Sequence, residues 1–349
     1  MLVVSLDLRN FRGYARQRVD LAPGINLVVG ENAQGKSNFL EALFALSSTR
    51  SVRTHKEAEL IRWGETVARL EAVFTPPTTV ELAWQQKGSK LARINRQAVR
   101  RFSELFALVR MVLFSVEDLE LVSGGPALRR RYLDYLLCKI DPIYLDALQH
   151  YQEVLRQRNE WLKHPIGGLR EVLDEQLATW ADPIIQARRR LLDTLDPARF
   201  YRDLTGVDTP LTVQYKPSVP DALHLRHALT ARTAEEARRQ TTLSGPHRDE
   251  LDILLGDDAL RAFGSRGQLR CAALCLRLAE GEAMGQDPIY LLDDCMSELD
   301  PPRQAYLWQL LQARRQVVMT GTPDVERHAP TGLTVFDVQD HHLSRRSGP

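Results

Sequence analysis

Eight residues near the N-terminus carry the clearest chemistry in the chain. Gly30-Glu31-Asn32-Ala33-Gln34-Gly35-Lys36-Ser37 fits the pattern GxxxxGK[ST] at every fixed position. Its two glycines let the backbone curl until successive N–H groups face inward, forming a nest for phosphate oxygens. A helix that opens at this point adds roughly half a positive charge at the same spot. Lys36 is expected to reach the β- and γ-phosphates of a nucleoside triphosphate, and Ser37 to offer its hydroxyl to Mg²⁺. Such a loop needs a metal-side carboxylate at the end of a second apolar strand. Ile289-Tyr290-Leu291-Leu292-Asp293-Asp294 supplies it. Asp293 is expected to hold Mg²⁺ through water, and Asp294 to orient an attacking water. Acids at the end of such a run are costly to bury without a cation or partners.

Strands and helices must bring these two motifs together. The run INLVV leads into the loop, and after Gly35 the residues Phe39, Leu40, Leu43, Phe44 and Leu46 recur at helical spacing. Before the loop, VVSLDL and RQRVDL read as strands, punctuated by Pro23-Gly24. Alternation returns over 67–95, with a turn at Lys87-Gly88, and VRMVLF over 109–114 reads as another strand. The texture then changes. Residues 127–162 and 169–195 have helical periodicity, and 165–168 read as the turn of a helical hairpin. A further helix is expected over 222–239, and no heptad is sustained, which points to a compact arm and not a long coiled coil. From 241 the α/β texture resumes, with strands at 252–255, 289–294, 316–320 and 333–338 and helices near 267–284 and 302–313. The phosphate loop and Asp293 stand about 256 residues apart. The expected architecture is an α/β head built from residues 1–118 and 241–349, with a β-rich sublobe. A mainly helical arm over 119–240 is inserted into it.

Composition bounds the rest. At about 150 residues per domain, 349 residues suggest two folded units. A content of 44% hydrophobic and 26% charged residues excludes a disordered or collagen-like chain. No run approaches the roughly 18 apolar residues of a membrane helix, and the N-terminus lacks the build of a signal peptide. The four cysteines, Cys138, Cys271, Cys275 and Cys295, form no CxxC pair, so a zinc site is not expected and the chain reads as reduced and cytoplasmic. The net charge of +1 hides an asymmetry. Residues 1–110 hold 17 basic and 10 acidic residues, a net of +7 that leaves −6 for the remainder. Lys87, Lys90, Arg93, Arg96, Arg100 and Arg101 form a stripe suited to DNA phosphates. Arg129–Arg131 and Arg188–Arg190 are secondary candidates. His247 and Arg248 suit either phosphate sensing or a structural loop. Trp161 and Trp180 read as core residues, and His341-His342 as a solvated strand end.

Further segments carry a resemblance. Phe263-Gly264-Ser265-Arg266-Gly267-Gln268 resembles the signature of ABC-type ATPases, and Ser297-Glu298-Leu299-Asp300 resembles their D-loop. Asn10-Phe11-Arg12-Gly13-Tyr14 looks like the opening shared by SMC-like DNA-repair ATPases. The blocks at 124–134 and 244–251 are similar to those of the recombination-mediator branch of that family. The resemblance implies an ABC-type P-loop ATPase head using ATP and Mg²⁺. Arg12, Gly267, Gln268 and Asp300 would lie at the nucleotide, and Ser265 would cap the γ-phosphate bound to Lys36 of a second copy. It further implies an ATP-dependent homodimer that clamps double-stranded, gapped or single-strand-junction DNA and helps load recombinase in repair and replication. Partner mediators of the RecR and RecO type follow from it, as does a weak, DNA-stimulated ATPase acting as a switch. Three departures stand out. Asp294 replaces the usual glutamate, Thr320-Gly321-Thr322 offers no switch histidine, and residues 114–119 contain no glutamine and place Val116 where proline is expected. An SMC-like NTPase with another DNA-processing partner is the alternative; Ser265 and Asp300 argue against a small-molecule kinase.

Overall fold

A computed structural model of the chain describes residues 1–54, 56–99, 103–165, 167–285 and 287–346. The first stretch runs β1 (Leu2–Phe11), β2 (Tyr14–Asp20), β3 (Gly24–Val29), α1 (Lys36–Ser48), β4 (Val67–Thr75), β5 (Thr78–Gln85), β6 (Lys90–Ile94) and β7 (Gln97–Ala98). The middle runs α2 (Ser103–Leu108), β8 (Met111–Phe114), α3 (Leu119–Ser123), α4 (Pro126–Ile140), α5 (Pro142–Lys163), α6 (Arg170–Thr194), α7 (Pro197–Thr205), β9 (Leu211–Lys216), α8 (Ala222–Ala231) and α9 (Thr233–Arg239). The last stretch holds β10 (Glu250–Leu255), β11 (Asp258–Ala259), α10 (Leu260–Phe263), α11 (Arg266–Ala283), β12 (Ile289–Leu292), α12 (Pro301–Gln312), β13 (Gln316–Gly321), α13 (Pro323–Glu326), β14 (Thr334–Gln339) and β15 (His342–Arg345). Among the described residues no helix is long and apolar enough to cross a membrane.

The strands form three sheets. One is antiparallel in the order β2-β1-β4-β5-β6-β7. Its alternation shows in burial: Leu6, Leu8, Leu70, Ala72, Val80 and Leu82 are fully inside, while Asp7 and Glu71 between them are partly exposed. The second runs β15-β14-β3-β13-β12-β8, with β14, β3, β13, β12 and β8 parallel and β15 an antiparallel edge. Here alternation is replaced by continuous apolar runs, because a parallel sheet is covered on both faces. All four residues of β8 and of β12 are buried. The strand order puts β13 between β3 and β12. The turn after β3 and the acids after β12 therefore emerge from the same carboxyl edge, where open parallel sheets bind ligands. The third sheet is β11-β10-β9, antiparallel.

The chain divides into two compact units, 1–118 with 203–206 and 273–349, and 119–202 with 207–272. This division differs from the expected boundary at 241. Residues 241–272 group with the inserted helices, and the physical cause is β10, which pairs along its whole length with β9. That strand, over 211–216, was not expected in a helical arm. The expected helix over 127–162 is two helices because Asp141 caps a new start. Its carboxylate accepts the N–H groups of Ile143 and Tyr144 at 2.9 and 3.1 Å, with Pro142 in the first turn. The stretch 222–239 likewise breaks at Arg232.

Candidate nucleotide site and nucleic-acid face

Within the first unit, β3 ends at Val29 and α1 begins at Lys36, so the loop of the phosphate motif joins strand to helix as its spacing requires. Gly35 is the residue before the helix, with φ 103°, and Ala33 also has positive φ, at 66°. Gly35 has no side chain with which to cap α1, so the first N–H groups of the helix stay unclaimed by a cap. The Lys36 ammonium folds back on its own loop, donating to the carbonyls of Gly30 at 2.6 Å and Glu31 at 2.9 Å. Burial lowers the Lys36 pKa from its ordinary value, and Asp294, Asp293 and Glu31 oppose that shift. The lysine thus feels both acids that follow β12.

Those acids are organised by a residue on the strand between them and the loop. Thr320, fully buried near the end of β13, donates its hydroxyl to Asp293 Oδ1 at 2.7 Å. The Thr320 Oγ1 itself accepts the Asp294 N–H at 3.0 Å. Asp293 N–H donates to the Phe114 carbonyl at the end of β8, and Asp294 adopts φ 47°. One hydroxyl therefore fixes the orientation of one carboxylate and the backbone of the next. In the sequence Thr320 stood out only as part of a segment without the expected switch histidine. A hydroxyl ending an otherwise apolar strand beside two acids was the available signal.

Other expected residues are placed differently. Arg12 sits in the β1–β2 turn and grips Glu41 of α1 with two bonds of 2.8 Å, adding a third to the Glu59 carbonyl at 2.8 Å. Three of its five N–H donors are thus engaged within the fold. Asp300 accepts the Arg303 N–H at 3.1 Å as the N-cap of α12. In the segment after β8, Asp118 accepts the Ser115 N–H at 2.7 Å and holds Arg277 of α11 at 2.6 Å. Arg277 in turn pairs with Glu280, also at 2.6 Å. His341 is not solvated as expected; its ring is half-buried against Tyr14, and only His342 is exposed.

In the second unit, Ser265 and Gln268 open α11 as a reciprocal capping box. Ser265 N–H donates to Gln268 Oε1 at 2.8 Å, and Gln268 N–H donates to Ser265 Oγ at 3.3 Å. Ser265 and Gly267 are exposed, as is Phe263, 76% accessible, two residues before the serine.

The 244–251 block takes the structural one of the two roles it suits. Asp249, fully buried, accepts from Arg188 at 2.7 Å, from Tyr215 and from the Ser218 N–H at 2.8 Å. Burial raises the Asp249 pKa, against the pull of Arg188. His247 Nδ1 pairs with the Tyr151 hydroxyl at 2.7 Å and Nε2 with the Thr242 carbonyl at 3.0 Å. Burial brings its pKa down to about 4, so the ring is neutral near pH 7. Arg248 also binds the Thr242 carbonyl, at 3.0 Å. This is a structural loop knitting the unit together. Arg129 and Arg188 must be withdrawn as DNA candidates for the same reason. Arg129 is buried against Glu250 at 2.9 Å, and Arg188 bridges Asp134 and Asp249. Trp180 is half-buried and stacks on His150 at 4.3 Å, and Trp161 is half-buried too, so neither is a core residue in the full sense.

The basic stripe proves heterogeneous. Lys90 gives its ammonium to the Thr49 carbonyl at 2.6 Å and to Glu57. Arg93 pairs with Glu81 at 3.2 Å, across the β5–β6 register, and Arg69 shares that carboxylate at 3.2 Å. Lys87 and Arg96 are exposed at the two turns flanking β6. Arg100 and Arg101 lie outside the described residues.

Comparison with known proteins identifies the family and the fold. The model of the RecF/RecN/SMC N-terminal domain matches residues 2–342. A DNA replication and repair protein RecF of Heliobacterium modesticaldum is 38% identical over 99% of both chains. One from Herpetosiphon aurantiacus is 39% identical over 96% of each. A solved structure of the recombination mediator protein RecF with ATP, from the RecFOR pathway, superposes with a TM-score of 0.90 at 30% identity, covering 99% of this chain and 98% of that one. The Smc head of Pyrococcus furiosus shares the fold at a TM-score of 0.57 and 16% identity, covering 99% of this chain and 96% of that one. The fold is therefore that of an SMC-like ABC-type ATPase head, and the chain belongs to the RecF/RecN/SMC N-terminal domain family, within its RecF group of DNA replication and repair proteins.

Proposed function

We propose that this chain is an ATP-dependent DNA-binding switch of recombinational repair and replication. The carrying observation is the convergence of Lys36 with Asp293 and Asp294 at one edge of the parallel sheet, with Thr320 holding the acids in place. The RecF relative solved with ATP supports ATP as the ligand. The loop N–H groups and Lys36 bind the phosphates, and Asp294 orients the attacking water.

The residues also fit Mg²⁺. Asp293 is half-buried and accepts one hydrogen bond, from Thr320, while the Ser37 hydroxyl is spent on no partner among the described residues. No cluster of three or more His, Cys, Asp or Glu side chains forms a cage there among the described residues, as suits an ion that keeps waters and takes phosphate oxygens. Mg²⁺, when bound, neutralises charge on the β- and γ-phosphates.

The switch itself is a second copy. Ser265, exposed at the start of α11, closes the partner's nucleotide, so two helix starts grip one triphosphate and the pair lasts only as long as the γ-phosphate. Asp294 is one methylene shorter than glutamate, which makes hydrolysis slow and suits a timer. DNA, at gaps or single-strand junctions, contacts Lys87 and Arg96 through its phosphates, with Arg93 beside them. Mediators of the RecR and RecO type join the loaded DNA, consistent with the pathway of the solved relative. The test is binding of gapped, duplex and single-stranded DNA with and without ATP. The proposal expects tight binding only with ATP, falling steeply with salt. Equal affinity in both nucleotide states overturns it.

A further inference from the structure

The tip of the β14–β15 hairpin serves the nucleotide loop. Gln339 pairs with His342, so Asp340 and His341 alone make the turn. Both have positive φ, 47° and 58°, as in the two-residue turns usually filled by Asn-Gly or Asp-Gly. Histidine keeps here a backbone conformation that glycine adopts more readily. Its ring lies edge-on to Tyr14 at 5.5 Å between centroids, and a Cβ on either Gly13 or Gly35 would collide with it. The ring nitrogen Nδ1 is buried without a hydrogen-bond partner, so it is the ring's bulk that meets the loop.

The backbone of the same tip ties down the loop. His341 N–H donates to the Gln34 carbonyl at 3.2 Å, and Asp340 N–H donates to Gln34 Oε1 at 2.7 Å. Beside them, the Tyr14 hydroxyl donates to the Gly35 carbonyl at 3.0 Å. A trans peptide points its C=O and N–H in opposite directions. Holding the Gln34 carbonyl outward therefore turns the Gly35 N–H inward. Holding the Gly35 carbonyl does the same for the N–H of Lys36.

We propose that His341 is a positioning residue for the phosphate loop: its ring wedges against Gly13 and Gly35 and keeps the hairpin tip seated. The Gly35 and Lys36 N–H groups are then aimed before any nucleotide arrives. This rests on the reading of the loop as an ATP site. The test compares His341→Gly and His341→Phe with the unaltered chain, using a fluorescent ATP analogue with Mg²⁺ and the thermal unfolding midpoint. His341→Gly relaxes the turn and deletes the wedge, so affinity falls about tenfold while the midpoint does not drop. His341→Phe restores a ring and returns affinity to within about threefold. A His341→Gly chain that binds the analogue as tightly as the unaltered one overturns the proposal. So does one whose weaker binding comes with a lowered midpoint. An unaltered chain that binds no ATP analogue removes the proposal together with the ATP-site reading. One that binds the analogue but no DNA overturns only the switch, and the variant comparison still decides the role of His341.

Discussion

Replacing Thr320 with valine tests whether one hydroxyl organises both acids. Valine keeps the branched shape and removes only the oxygen. Two interactions end: the 2.7 Å bond to the Asp293 carboxylate and the 3.0 Å bond from the Asp294 N–H. A bond to a charged group contributes about 1.5–3 kcal/mol, and leaving a buried N–H unsatisfied costs about 1–3 kcal/mol. The new methyl recovers roughly 0.8 kcal/mol by its own burial. The net expectation is a loss of about 2–4 kcal/mol, read as a drop of roughly 5–12 °C in the unfolding midpoint. A residue that orients a metal-side carboxylate also changes function, so the Mg²⁺ needed for half-maximal ATP hydrolysis should rise by about 10- to 100-fold. Thr320→Ser keeps the oxygen and should lose little of either. Calorimetry and a coupled phosphate-release assay across Mg²⁺ concentrations measure both effects. A Thr320→Val chain with an unchanged midpoint and an unchanged Mg²⁺ requirement would refute the reasoning.

Three further outcomes follow from the geometry. His247 has its pKa lowered to about 4 by burial, while the unfolded ring titrates near 6.5. Between those values the unfolded state binds more protons, so stability is full above about pH 6.5 and is lost as pH falls towards 4. The loss amounts to about 3 kcal/mol, and His247→Gln should flatten that slope in denaturant titrations. Arg188→Met removes the cation between Asp134 and Asp249 and should cost about 3–5 kcal/mol in urea unfolding, whereas a near-neutral result would contradict the structural role assigned here. Asp294→Asn should slow ATP hydrolysis at least about tenfold while nucleotide affinity holds, and an unchanged turnover would strip Asp294 of its role.

Much of the site was legible in the chain. The phosphate loop announces itself because a backbone nest needs glycines at fixed places, and Asp293-Asp294 because acids at the end of an apolar run demand a reason. The parallel sheet follows from continuous apolar strands. What stayed hidden was long-range or internal. The hydroxyl of Thr320 matters through register with β12, which no local pattern encodes. Arg188 and Arg129 look like surface cations in a string of arginines, yet their acids lie tens of residues away and draw them inside. Lys90 and Arg93 are likewise claimed by Glu57 and Glu81, so a stripe counted as charge overstates what is free to meet DNA. His341 reads as a polar strand end because nothing local shows that the hairpin tip leans on Gly35. The short strand β9 escaped because only Leu211 of its six residues is fully buried, which leaves a weak alternating signal.

The central claim is that ATP joins two copies of this chain through Ser265 and the loop around Lys36. Light scattering on a gel-filtration column, with Mg²⁺ and a non-hydrolysable ATP analogue, measures it directly. A shift from the 39.7 kDa of one chain to twice that mass is expected, abolished by Ser265→Arg. A mass that stays at 39.7 kDa with the analogue bound would contradict it.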